Sequence, residues 1–105
     1  MNEQYACFAD VAREIEPPNE GILTRTLLNN DRVKVVVFGF APGEELSEHT
    51  ATMPAILHFL EGEAELTLGS ESIEGKPGTW VYMAPNLAHS VKTNSAVVML
   101  LVLVK

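Results

Sequence analysis

Three histidines, His49, His58 and His89, are the side chains of this sequence best suited to binding a metal or moving a proton near neutral pH. His49 follows Gly43 with five residues between them, and Pro54, an apolar run and Glu61-Gly62 come after it. His89 closes the stretch Gly78-Thr79-Trp80-Val81-Tyr82-Met83-Ala84-Pro85-Asn86-Leu87-Ala88-His89. Two histidines brought together can form an acid–base pair. They can also begin a metal site, although catalytic zinc normally takes three protein ligands and facial iron takes two histidines and a carboxylate. Glu44, Glu45 and Glu48 surround His49 and read as a solvated acidic loop, with Glu48 facing away from His49 if the strand is regular. Cys7 is the sole cysteine, so no internal disulfide forms, and it is expected as a small buried hydrophobe rather than a nucleophile.

These side chains have to be positioned by strands. The one helical pattern is Phe8, Val11, Ala12 and Ile15, stopped by Pro17-Pro18; it predicts a single short N-terminal helix with an amphipathic face. Beyond Gly21 the chain alternates short apolar runs with turn residues. Strands are expected over Ile22 to Leu28, Val33 to Phe40, Leu46 to Thr50, Ala55 to Leu60 and Glu63 to Leu68. Four more follow around Ser72 to Glu74, Trp80 to Met83, His89 to Thr93 and Val97 to Val104. Within Glu63 to Leu68 the alternation is clean, with Ala64, Leu66 and Leu68 on one face and Glu63, Glu65 and Thr67 on the other. Val97 to Val104 is apolar throughout and about half as long as a membrane-spanning helix, which suits a strand covered on both faces. The expectation is an all-β sandwich or barrel over residues 21–105, preceded by a helix and lead-in segment over residues 1–20.

The two histidine-bearing stretches resemble the paired motifs of the cupin superfamily, whose members are double-stranded β-helix, or jelly-roll, barrels. The first motif runs G-x5-H-x-H, three or four residues, E, six residues and G; the second runs G-x5-P-x-G-x2-H-x3-N. Gly43, His49, Gly62, Gly78 and His89 fall on motif positions. Ala51 stands where the second histidine would be, Ala55 where the glutamate would be, Ala84 for the proline, Asn86 for the glycine and Thr93 for the asparagine. Asn86 tolerates the left-handed backbone that a glycine supplies. The resemblance implies a jelly-roll barrel and a pocket marked by His49 and His89. A divalent metal (zinc, iron, manganese or nickel) would be bound weakly there, because two of four ligand positions are alanine.

If Ala55 faces inward, so do Leu57 and Phe59, and His58 points outward with Ile56 and Leu60. A bulge near Pro54 would slip that parity and make His58 a third ligand. Leu57, Phe59, Trp80, Tyr82 and Met53 are the candidate pocket lining, around a small anion or aromatic ligand. Similar cupins include metal-dependent dioxygenases and isomerases, and a metal-free branch epimerises sugars with a histidine base. The alternatives are therefore such an enzyme, a small-molecule sensing module, or a purely structural dimerising domain.

Seven Lys plus Arg against fourteen Asp plus Glu give a net charge of −7, with no basic cluster, which disfavours nucleic acid and anionic membranes as partners. The first residues, Met1-Asn2-Glu3-Gln4-Tyr5, carry no signal-peptide pattern, so a cytoplasmic location is expected. Both faces of Ala55 to Leu60, apart from His58, and of Val97 to Val104 are apolar, and such surface is usually covered by a partner or an added terminal strand; since the resembling cupins commonly pair in this way, a homodimer is expected.

Overall fold

The computed structural model describes residues 4–105. Among the described residues nine strands form two antiparallel sheets. They are β1 (Ile22–Asn29), β2 (Val33–Phe40), β3 (Glu45–His49), β4 (Ala55–Glu61), β5 (Ala64–Leu68), β6 (Glu71–Gly75), β7 (Trp80–Met83), β8 (His89–Thr93) and β9 (Val97–Val104). The first sheet has the order β1-β2-β9-β4-β7 and the second β3-β8-β5-β6, which is the expected all-β jelly roll. The strand boundaries follow the turn chemistry within two residues. Asn30 closes the β1–β2 turn by accepting the Arg32 and Val33 amides on its side-chain oxygen, at 2.8 and 3.0 Å.

The expected N-terminal helix is reduced to one 3-10 turn, Val11–Glu14. Asp10 lends it no side-chain cap, and Ile15 is already extended at φ −147° as the chain approaches Pro17-Pro18. The apolar residues that suggested a helix are used differently. Phe8 and Val11 border one apolar crevice with Leu27, Leu28, Val35 and Leu100 on the outer face of the first sheet. The lead-in then crosses Gly39, where a β-carbon would lie 3.2 Å from the Pro17 α-carbon. Arg25 holds it there, donating to the Glu14 carbonyl and pairing with the Glu14 carboxylate, each at 3.2 Å. Residues 1–3 of the expected lead-in lie outside the described residues. Cys7, expected to be buried, is exposed on this segment. Among the described residues no helix is long and apolar enough to cross a membrane.

The core lies between the sheets. Phe40, Leu57, Phe59, Met83, Val97 and Met99 from the first meet Ala64, Leu66 and Val91 from the second, all buried. Strand β4 alternates as its sequence requires, with Ala55, Leu57 and Phe59 buried and Ile56, His58 and Leu60 half-buried on the other face. Burying side chains of this size contributes roughly 1.5–3 kcal/mol each, an upper figure because unfolded chains already bury some apolar surface.

Two glycines show where the path is tight and where it is open. Gly62, in the turn after β4, has φ +82°, and a β-carbon there would lie 1.9 Å from the Ala96 carbonyl oxygen. Gly78 has φ +96° with nothing within 4 Å. Gly78→Ala is therefore expected to cost about 1–2 kcal/mol, the left-handed backbone penalty alone. Gly62→Ala should cost clearly more, because backbone must also move. Chemical denaturation of the two variants checks this, and equal losses would contradict it.

Candidate functional site

The second sheet places the histidines. Across it, Leu46 of β3, Val91 of β8 and Leu66 of β5 form one row of cross-strand neighbours, and His49, His89 and Leu68 form the next. Between these rows β8 spends one residue, Ser90, whereas β3 spends two, Ser47 and Glu48. The extra residue is a β-bulge, and it reverses the parity of β3 so that Leu46 and His49 share a face. In a regular strand Glu48 would take the place of His49 opposite His89.

The two rings lie with centroids 4.2 Å apart, tilted by 57°. His89, on a strand paired along both edges, is 7% exposed; His49, on the edge strand, is exposed. The pair thus sits at the rim of the barrel, one ring embedded and one facing solvent. Each ring is oriented by the same local contact. His49 Nδ1–H donates to the Ser47 carbonyl at 2.8 Å, and His89 Nδ1–H donates to the Leu87 carbonyl at 2.9 Å. A carbonyl only accepts, so each Nδ1 carries the proton and each neutral ring presents a bare lone pair on Nε2.

The chain on either side of β3 is pinned. Buried Thr93 donates its hydroxyl to the Ala41 carbonyl at 2.7 Å and accepts the Glu44 amide at 3.0 Å. Its backbone accepts from the Gly43 amide and donates to the Glu44 carbonyl, at 3.0 and 2.8 Å. Past β3, the Asn86 amide donates to the Ala51 carbonyl at 2.7 Å, and Asn86 adopts φ 68° in the turn that a motif glycine would occupy. Glu44, read as part of a solvated loop, instead accepts the Gly21 amide on Oε2 at 3.0 Å, tying β3 to the start of β1. Glu45 and Glu48 are exposed.

Other candidate residues are placed less favourably for a pocket. Trp80 and Tyr82, expected as lining, stand on the outer face of the first sheet, 57% and 55% exposed. Their strand pairs Val81 with Leu57 and Met83 with Ala55, so Val81 and Met83 take the inward positions. Leu57 and Phe59 do face inward, but both are fully buried in the packed core and supply packing rather than accessible surface. Met53 is half-buried in the loop between β3 and β4. His58 lies on the outer face between its cross-strand neighbours Trp80 and Leu100. The positioning role of Thr93 is signalled in the sequence only by its place at the motif asparagine, and the bulge has no sequence signal.

The donor set decides how a metal would fare. His49 and His89 bring two Nε2 atoms; Ala51 and the buried Ala55 bring none. Among the described residues no cluster of three or more His, Cys, Asp or Glu side chains is arranged to hold a metal ion. These residues do not fit a resident catalytic metal, which needs at least three protein donors.

Comparison with known proteins agrees with this architecture. The sequence profile described as Cupin domain matches residues 36–104. No curated protein matches the sequence. Among solved structures, a conserved protein of unknown function from Streptococcus pyogenes is similar at 28% identity and a TM-score of 0.86, over 100% of this chain and 92% of that one. A cupin superfamily protein from Desulfitobacterium hafniense is similar at 26% identity and 0.85, over 90% and 86%. A Cupin 2 conserved barrel domain protein from Leptotrichia buccalis is similar at 26% and 0.83, over 90% of this chain and 46% of that one.

Two outcomes follow from the site geometry. Long-range proton–nitrogen NMR should find both neutral imidazoles protonated on Nδ1; an Nε2–H form at either ring would contradict the carbonyl contacts. Thr93→Val should lose about 1–3 kcal/mol in denaturant unfolding, because the Ala41 carbonyl and Glu44 amide lose their shared partner.

Proposed function

Because this chain belongs to the Cupin domain family, we propose that it is a small-molecule-binding barrel whose recognition element is the pair of Nε2 atoms of His49 and His89. The observation that carries this reading is the commitment of both Nδ1 atoms to backbone carbonyls while the rings lie 4.2 Å apart. Both imidazoles therefore offer their remaining nitrogen to the space at the barrel rim. A ligand hydroxyl, amine or bound water meets acceptors there, and a ligand that arrives with an acidic proton can leave it on one ring. Leu68, in the row of the pair, and Leu46, in the row beside it, give the ligand an apolar floor.

A divalent ion such as zinc, iron, manganese or nickel enters this reading only as a weak guest. Two imidazoles hold it loosely, and a bound small molecule must bring the other donors. Turnover is not part of the proposal, because among the described residues the group that orients each ring is a neutral carbonyl and no carboxylate contacts either Nδ1. We place the protein in the cytoplasm, where the exposed Cys7 thiol stays reduced.

The test starts from protein purified without chelator. Elemental analysis should find well below one metal ion per chain. Added Zn²⁺ or Ni²⁺ should shift the His49 and His89 ring resonances at roughly micromolar or weaker affinity, and His89→Ala should abolish the response. A fragment set of hydroxylated and carboxylated small molecules, screened by the same resonances, should yield binders that compete at the pair. Stoichiometric metal that survives dialysis would replace this reading with a metalloprotein, and silence toward every fragment and metal would leave the pair without a ligand role.

A further inference from the structure

The barrel mouth at which the histidine pair sits has a second wall, the rim of the first sheet. Its outermost inward-facing row runs Lys34 of β2, Leu103 of β9, Ala55 of β4 and Met83 of β7, fixed by the registers Lys34↔Leu103, Ala55↔Leu103 and Ala55↔Met83. Ala55 and Met83 are buried in the core and Leu103 packs against it, so this row faces the second sheet. Cross-strand neighbours share a face, which turns Lys34 inward with them. The two rims lie at the same end of the sandwich. Strand β2 runs from Lys34 away from the mouth to Phe40, the turn at Pro42-Gly43 crosses to the second sheet, and β3 returns to His49. From His49 the chain passes over to Ala55, and the Val104 amide donates to the Pro54 carbonyl at 2.9 Å, tying that passage to the end of β9. Facing sheets lie about 10 Å apart, a gap that a lysine stem and an imidazole close around one small molecule.

We propose that Lys34 is the anion-holding residue of this site and that the ligand is a small hydroxy carboxylate, its hydroxyl on the histidine pair and its carboxylate on the Lys34 ammonium. The inference rests on the histidine-pair reading and adds the class of ligand to it. Three observations carry it. Lys34 is half-buried, yet among the described residues no carboxylate lies within ion-pair distance of it. An ammonium turned into a cleft without a counter-charge is stabilised by an anion that enters.

The second observation is the local field. The chain has a net charge of −7, yet three of its seven Lys and Arg residues, Arg32, Lys34 and Lys105, gather at this rim, with Asp31 as the one carboxylate of the turn beside them. Lys105 Nζ donates to the Asn29 side-chain oxygen and the Asn30 carbonyl at 2.6 and 2.9 Å, and its amide donates to the Arg32 carbonyl at 2.9 Å. These acceptors are neutral, so they fix the Lys105 charge at the mouth without cancelling it. The third is the pair itself. Two bare Nε2 lone pairs accept hydrogen bonds and repel a carboxylate, so the ligand needs a donor for the rings and a separate anion for Lys34. A neutral polyol leaves the ammonium unpaired, and a plain carboxylate leaves the rings without a donor. Glu71, opposite Leu68 on edge strand β6, ends the histidine row on the far side. It sets the polarity, with the anionic end of the ligand toward β2.

Glycerate, glycerol and propionate are matched three-carbon probes, to be followed by NMR through the His49 and His89 rings and the Lys34 side chain of the full chain. Glycerate should bind at roughly millimolar affinity, the range open to so few atoms, and about tenfold tighter than glycerol or propionate. Its affinity should fall as salt rises, and that of glycerol should not. Lys34→Met keeps an unbranched stem and should reduce glycerate to the level of glycerol, whereas Lys34→Arg should restore most of the difference. Lys76→Ala removes a cation beyond the opposite end of β6 and should leave glycerate binding unchanged, with circular dichroism confirming that each variant folds. Rings that treat glycerate and glycerol alike, or a Lys34→Met chain that still prefers glycerate, would overturn the role of Lys34 and leave the pair reading standing. Rings silent toward all three probes would overturn this ligand class, whether or not other fragments bind at the pair. A response of Lys34 to glycerate without one at the rings would overturn it too, because the anion then binds apart from the imidazoles.

Discussion

The site depends on one surplus residue. Strand β3 spends Ser47 and Glu48 where β8 spends only Ser90, and this mismatch brings His49 onto the face of His89. Strand parity is strict, so the choice is binary: with the bulge two imidazoles meet, and without it a carboxylate would face His89. A bulge persists only if the chain on both sides is fixed, otherwise the strand slides back into register. Thr93 fixes the side before β3 through both its hydroxyl and its backbone, and the Asn86 to Ala51 bond fixes the side after it. Thr93 and the Asn86–Ala51 bond thereby favour the register in which His49, rather than Glu48, faces His89.

The two halves of the histidine pair have different mechanical settings. His89 belongs to β8, which is paired with β3 on one edge and β5 on the other, and its ring is almost wholly buried. His49 belongs to an edge strand of five residues, exposed along most of its length and held only by β8. Local opening is easiest where backbone hydrogen bonds are few and exposed. In the proposed reading the embedded ring would set the position of a ligand and the rim ring would adjust to its size. The local Nδ1 contact travels with His49 because its acceptor, Ser47, lies two residues away on the same strand.

Much of this was legible in the sequence, for a physical reason that also explains the failures. Turn chemistry is local, so Asn29-Asn30-Asp31, Pro42-Gly43 and Gly75-Lys76-Pro77-Gly78 marked strand ends closely. Alternation is legible when the two faces differ, as in β5, where Ala64 and Leu66 oppose Glu63 and Glu65. It fails where both faces are apolar. In β7, Trp80 and Tyr82 compete with Val81 and Met83 for the core, and only the pairing with Leu57 and Ala55 decides for the second set. The lead-in misled differently, since Phe8, Val11 and Ile15 have helical spacing but gain their burial by lying across a sheet. The bulge in β3 could not be read, because a parity change is a property of two strands and neither sequence alone contains it.

The same two-strand logic bears on what the barrel holds. A full set of four protein donors makes a metal the fixed feature of a cup and lets ligands vary. Two imidazoles with alanine at the other two positions cannot hold an ion in that way. Neither Ala51 nor the buried Ala55 brings a donor in their place. In the proposed reading the fixed feature is the imidazole pair, and any ion would have to be completed by the ligand. In that reading selectivity would pass from the metal to the shape of the ligand, set above a buried core of Val91, Leu66 and Met83 that is too dense to yield to it.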